Sequence, residues 1–160
     1  MAAEYSAFGD QPVAAGAGIV FTEAPVPCNR GLIYHRDDSP LFRLASPSAM
    51  NFGAYRSCCC RGDLPTANYV VTASANVSIP TGGTVGPVSL GVYVDGELDP
   101  ASVRTVTPAA AGDVFSISTQ SVVVVPWLCR CSSVSIRNVG DQSITVTDPD
   151  IIFRFAGVRR

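Results

Sequence analysis

The chain has 160 residues, 47% of them hydrophobic and only 15% charged, against roughly 25% charged in ordinary soluble domains. A net charge of −2, and no apolar run approaching the roughly 18 residues that would span a bilayer, argue against nucleic acid and membrane as partners. The length suits one domain whose core closes without metals or a disulfide framework.

Mean hydropathy is +0.27, so apolar surface is left over once a core is filled, and contact between subunits is the expected place for it. All eleven basic residues are Arg. Genome composition accounts for that first; a preference for planar, bidentate interface contacts is the second reading.

Residues 1–16 are rich in Ala and Gly and weakly patterned, which predicts a flexible N-terminal arm ahead of a domain over 17–160. The first residues carry neither a basic stretch nor an apolar one of the secretory kind, so synthesis in a cytoplasm and reduced thiols are expected. Short β-type runs follow at 19–22, 32–35 and 41–45, separated by Pro25, Pro27 and the turn Asp37-Asp38-Ser39-Pro40. A looser run covers 50–60, and Arg61-Gly62-Asp63 makes the next corner.

The second half is more regular. Residues 69–79 alternate, with Tyr69, Val71, Ala73, Ala75, Val77 and Ile79 on one face and Val70, Thr72, Ser74, Asn76 and Ser78 on the other. After the turn Pro80-Thr81-Gly82-Gly83-Thr84, residues 85–94 place Val88, Leu90, Val92 and Val94 on one face. Asp95-Gly96 reads as a tight hairpin turn. Runs at 103–106, 114–125, 133–138 and 144–155 complete the set. No stretch sustains helical periodicity over more than ten residues. The expectation is an all-β, antiparallel jelly roll or β-sandwich of about eight to ten strands.

Chemistry-bearing residues are few. The single histidine, His35, ends an apolar run before Arg36-Asp37-Asp38 and reads as a strand-end residue. Neither a metal-ligand spacing, a nucleophile elbow nor a phosphate loop is present, so neither catalytic, metal nor cofactor-binding residues are assigned. Asp95, Glu97 and Asp99 cluster in a turn and read as solvated rather than as the paired carboxylates of a hydrolase.

Of the six cysteines, Cys58 and Cys60 share one strand face with Cys59 on the other, while Cys129 and Cys131 share a face of their own. Buried thiols, a disulfide within or between subunits, and a zinc site if the two pairs meet are the three readings. Arg61-Gly62-Asp63 matches an integrin-binding tripeptide but reads as turn chemistry. Asn76-Val77-Ser78 matches a glycosylation signal inside an expected strand. Trp127, after Pro126, either closes the core or meets another subunit. Tyr93, Phe115, Trp127 and Phe153 are the candidate oligomer-interface residues, unless they fill the sandwich itself.

Four blocks carry a resemblance: the stretch from Phe21 to Cys28, Ile79 to Leu90 with its Pro-Thr-Gly-Gly-Thr core, Val94-Asp95-Gly96-Glu97, and Val106-Thr107-Pro108-Ala109-Ala110. In order and spacing they resemble small proteins encoded by tailed phages and prophages of gut Firmicutes. The resemblance runs from about Gly18 to Phe155; the stretch from Cys58 to Asp63 departs from it.

It implies a virion protein with a jelly roll similar to tumour-necrosis-factor and C1q heads, assembling as a homotrimer. The function so implied is capsid decoration, a head-stabilising subunit bound to the major capsid protein or another virion protein. The alternative is a receptor-binding or glycan-binding head of a fibre or tail that meets a host surface glycan. The absence of a coiled-coil or collagen-like shaft favours decoration.

Overall fold

The computed structural model describes residues 2–28, 32–46, 66–126 and 131–159. Among them twelve strands run in the order β1 (Ala2–Ser6), β2 (Asp10–Val13), β3 (Glu23–Val26), β4 (Ile33–His35), β5 (Phe42–Leu44), β6 (Thr66–Ser78), β7 (Val88–Val94), β8 (Glu97–Leu98), β9 (Arg104–Val106), β10 (Phe115–Pro126), β11 (Ser132–Asn138) and β12 (Ile144–Arg159). A single 3-10 turn, Pro100–Ser102, interrupts them.

Alternation decides which side of each strand enters the core. In β6, Ala67, Tyr69, Val71, Ala73, Ala75 and Val77 are buried and every intervening residue is half-buried, the division their spacing predicts. β10 divides the same way, with Ile117, Thr119, Ser121, Val123 and Val125 inward and Ser116, Ser118, Gln120, Val122 and Val124 outward. The pairing is antiparallel throughout. The first sheet has the order β10-β6-β12-β1-β3, with β2 also on β12; the second has β4-β5-β11-β7-β8, with β9 also on β7. The expected all-β sandwich is therefore the fold, with more strands than the eight to ten read from the sequence, because β1, β2 and β8 are short or weakly patterned.

Phe42 is the hub of the core. Contributed by the second sheet, it lies 4.9 Å from Tyr5 and 4.9 Å from Phe153 of the first, and 5.5 Å from Phe21, centroid to centroid. His35 stacks on its ring at 4.1 Å, with ring nitrogens 2.8 and 3.2 Å from the carbonyl oxygens of Phe21 and Leu41. The strand-end histidine is thus a strut of the core.

The first sixteen residues are not a free arm. β1 lies inside the first sheet between β12 and β3, pairing Ala2 with Arg154 and Ser6 with Asp150, while β2 pairs with the start of β12. Ala3 and Tyr5 are buried. Small residues hid this strand from a hydropathy reading, yet Ala3 is what fits a crowded central position. Residues 19–22 differ in the other direction. Ile19 and Phe21 are buried but form no strand, because the Gln11 amide takes the ladder's place, donating to Val20 O and accepting from Val20 N at 3.0 Å each. The strand comes later, at β3, where Pro25 is tolerated on a sheet edge.

Two polar clusters hold the ends of the sandwich. Fully buried Asn138 donates from Nδ2 to the carbonyls of Val13, Ala14 and Gln142 and accepts from Gly140 N, so one side chain ties the N-terminal segment to the β11–β12 turn. At the β10 edge, Ser102 Oγ accepts from Val92 N at 2.8 Å, Thr119 Oγ1 donates to Ser102 O, and Ser121 donates to Asp99 at 2.6 Å. The 3-10 turn thereby joins β7 of one sheet to β10 of the other. The segment from Leu98 to Val103 can lie flat on β7 only because position 91 is glycine: a Cβ there would stand 2.8 Å from Leu98 Cδ1 and 2.9 Å from Val139 Cγ2.

Asn138→Ala strands several buried groups at once and is expected to lower unfolding free energy by about 2–4 kcal/mol, read from urea unfolding. Deleting residues 1–16 is expected to abolish the near-ultraviolet dichroism of the folded chain, since it opens the middle of a sheet; a truncated chain with native dichroism would contradict the placement of β1.

Candidate functional site

The outer faces of the two sheets are chemically different. On the second sheet, Tyr93 is half-buried beneath the Arg137 guanidinium, 4.7 Å from its ring centroid, and Arg137 Nε donates to Ser135 Oγ at 3.1 Å. Near β7 and β11 that face is covered by its own side chains, while Tyr34 of β4 stands 63% exposed beside Arg43 of β5.

The first sheet presents a different surface, assembled by register into parallel rows. Val122, Val70, Arg154 and Ala2 form one row across β10, β6, β12 and β1; Gln120, Thr72, Ile152 and Glu4 form the next; Ser118, Ser74, Asp150 and Ser6 form a third. Val26 and Glu23 of β3 continue the second and third rows. Val122, Val124 and Val26 are 61%, 51% and 45% exposed. β10 itself contains no charged residue, and among the described residues it pairs only with β6. The opposite edge, β3, is guarded by Glu23, Pro25 and a shifted register. Sheet edges are ordinarily blunted by charge, proline or bulges; among the described residues the β10 edge carries no charge, and its proline, Pro126, stands only at its end.

Polar atoms on the same face lack partners. Ser6 Oγ, Asn68 Oδ1 and Asp150 Oδ1 are enclosed with no hydrogen bond among the described residues. Burial, and then the charge of Glu4, holds the Asp150 carboxyl above the usual aspartate range.

The sequence-derived interface candidates do not converge on this face. Phe153 is completely buried and belongs to the aromatic core, because its position in β12 points inward between Ile152 and Arg154, which point out. Phe115 is half-buried at the start of β10 against the core, Tyr93 lies on the other sheet, and Trp127 falls outside the described residues. Cys58, Cys60 and Cys129 fall outside them as well. Cys131, read as a buried or bridged thiol, is exposed and unbridged within the subunit, since it precedes the first inward residue of β11. Cys28 is half-buried and also free. Both lie near Tyr69, whose hydroxyl donates to Ala45 O and is pushed well above its ordinary range by burial and then by these two thiols.

What the sequence reading missed is Glu4 and Ser6, assigned to the arm, and Asp150 and Arg154. The visible signal was the outward set Val70, Thr72 and Ser74, already separated by alternation. Elsewhere on the surface an open depression of about 340 Å³ is lined by Thr84, Val85, Gly86, Pro87, Asp141 and Gln142.

Two facing antiparallel sheets in this order form a jelly-roll sandwich. The globular domain of zebrafish complement 1qA protein superposes with a TM-score of 0.50 at 10% identity, over 99% of this chain and 98% of that one. The CBM22-1 xylan-binding domain of Paenibacillus barcinonensis Xyn10C superposes with a TM-score of 0.34 at 12% identity, over 95% and 92%. No family model and no curated protein matches the sequence. What the first similarity establishes is the fold.

A carboxyl whose folded value is raised contributes stability that is complete below its unfolded value, about pH 4, and lost as pH rises through the raised one. Asp150→Asn is therefore expected to raise the urea midpoint of the dissociated subunit at about pH 7 and to lose that advantage near pH 4. An advantage of equal size at both would show that the carboxylate charge is not the cause.

Proposed function

We propose that this chain is a non-enzymatic structural subunit that assembles with copies of itself as a homotrimer, and that its setting is the virion of a tailed phage, as a capsid decoration protein. The observation that carries self-assembly is the outer face of the first sheet with the bare edge of β10. Five strands about 4.8 Å apart and about 40 Å of β6 outline roughly 800 Å², the area each partner contributes to an ordinary stable interface. Its exposed valines lie beside β-branched Thr72 and Ile152, an apolar stretch that favours burial against another copy. Three copies packing head to tail would close a ring and cover the β10 edge of each.

The virion setting is supported by the sequence blocks, the most specific of which, Pro80-Thr81-Gly82-Gly83-Thr84, forms an exposed turn after β6. A subunit that acts by bridging needs no cofactor and no reactive groups. The competing reading, a glycan-binding head, would use the depression at Thr84–Pro87 and Gln142, but its lining residues include no aromatic ring to lie against a sugar. That comparison favours assembly.

Val122→Asp places a charge on the edge strand of the proposed contact without touching the core. It is expected to convert a trimeric mass in light scattering to a monomeric one while leaving the dichroism spectrum unchanged. A wild-type chain that stays monomeric at all concentrations, or a variant that remains trimeric, would overturn the assignment of this face. Reductant should leave the mass unchanged if the contact is noncovalent.

A further inference from the structure

The outer face of the first sheet is apolar at one end and acidic at the other, with one cation between. Glu4, Asp150 and Glu23 lie on adjoining rows, and Arg154 stands two rows beyond Asp150 on the same side of β12. Four residues of extended strand separate the Arg154 and Asp150 backbones by about 13 Å. Arg154 is exposed and makes no hydrogen bond or ion pair among the described residues.

The acidic end is incomplete as it stands. Ser6 is only 9% exposed and points to the same side as its pairing partner Asp150, since their neighbours Tyr5 and Ile151 are the ones in the core. Its hydroxyl has no partner, and neither does one oxygen of the Asp150 carboxylate beside it. Native proteins rarely leave enclosed polar atoms unpaired, because each gives up its hydrogen bonds to water and gains none in return. The Ser6 hydroxyl can donate as well as accept, but the Asp150 carboxylate can only accept. With Glu4 carrying a second carboxylate on the adjoining row, the matching group is one with several N–H donors in a fixed plane and a positive charge, which describes a guanidinium.

Building on the self-assembly proposed above, we infer that the Arg154 guanidinium of one copy docks on the Asp150 and Glu4 carboxylates, beside Ser6, of the next copy. The partner is a second molecule of this chain because the face offers both halves of the contact at separated positions. Each copy gives one Arg154 and receives one, as the heterologous contact of a closed ring requires. The guanidinium offsets the repulsion between Glu4 and Asp150, while Glu23, on the exposed edge strand, stays in water. Asp150 then has opposite effects in the two states: unfavourable in the lone subunit, where its charge is half-buried and unpaired, and favourable in the ring.

Sedimentation equilibrium of the full chain at neutral pH tests this with Arg154→Gln, Asp150→Asn and the double variant. Each single change is expected to raise the dissociation concentration on the order of 30-fold or more, and the double change to add little, because either one already breaks the pair. Asp150→Asn should weaken assembly while making the dissociated subunit more resistant to urea, a combination that general loss of structure does not produce. Singles that assemble like wild type, or effects that add in full, would overturn the pairing. If wild type and these variants form the same oligomer while Val122→Asp dissociates it, the face stands and the pairing alone fails. A wild type that never associates would remove both.

Discussion

The structure depends on one constraint: the first strand of the chain completes the sheet that the last strand runs through. β1 pairs along β12 from Ala2 opposite Arg154 to Ser6 opposite Asp150, so the ladder at the middle of the first sheet joins residues almost a chain length apart. No part of that sheet is finished until the C-terminal strand exists. Contacts of such sequence separation close large loops before they gain anything, which makes for slow folding and a highly cooperative product. The same pairing places Tyr5 beside Phe42 and Phe153, so the aromatic core forms together with the sheet.

The polar clusters follow from that arrangement. A sandwich is held by non-directional burial across its middle, but its ends and edges need directional contacts to fix how the sheets meet. Asn138 does this where the N-terminal segment passes the β11–β12 turn, and Asp99, Ser102, Thr119 and Ser121 do it at the β10 edge. The second cluster explains why the inward face of β10 carries hydroxyls at positions 119 and 121 among its valines: they meet the 3-10 turn and not the opposite sheet. It also leaves the outward side of β10 with nothing to bind inside the subunit.

The two sheets thus differ in what their outer faces carry, although Tyr34 of the second is also exposed. The second sheet wears Leu98, Val103 and the stacked Tyr93 and Arg137; the first presents valines, unpaired acceptors and a free arginine. That asymmetry gives a role in assembly its physical content, and it distinguishes this chain from a jelly roll whose loops alone are functional.

By itself the sequence determined the fold class, the inward face of β6 and β7, and the Asp95-Gly96 hairpin, where φ values of 53° and 88° are what Asp and Gly tolerate. All of these are local: period-two alternation and turn chemistry are written in neighbouring residues. Tertiary structure alone decided that residues 2–13 are sheet and not arm, that Phe153 fills the core while Arg154 is free, and that Ser6 lies beside Asp150. These depend on register between strands distant in sequence, and a one-residue slip in register would exchange the two faces of β1. Glu4 and Ser6 are unremarkable in an Ala-rich stretch; next to Asp150, one supplies a repelling charge and the other an unsatisfied hydroxyl.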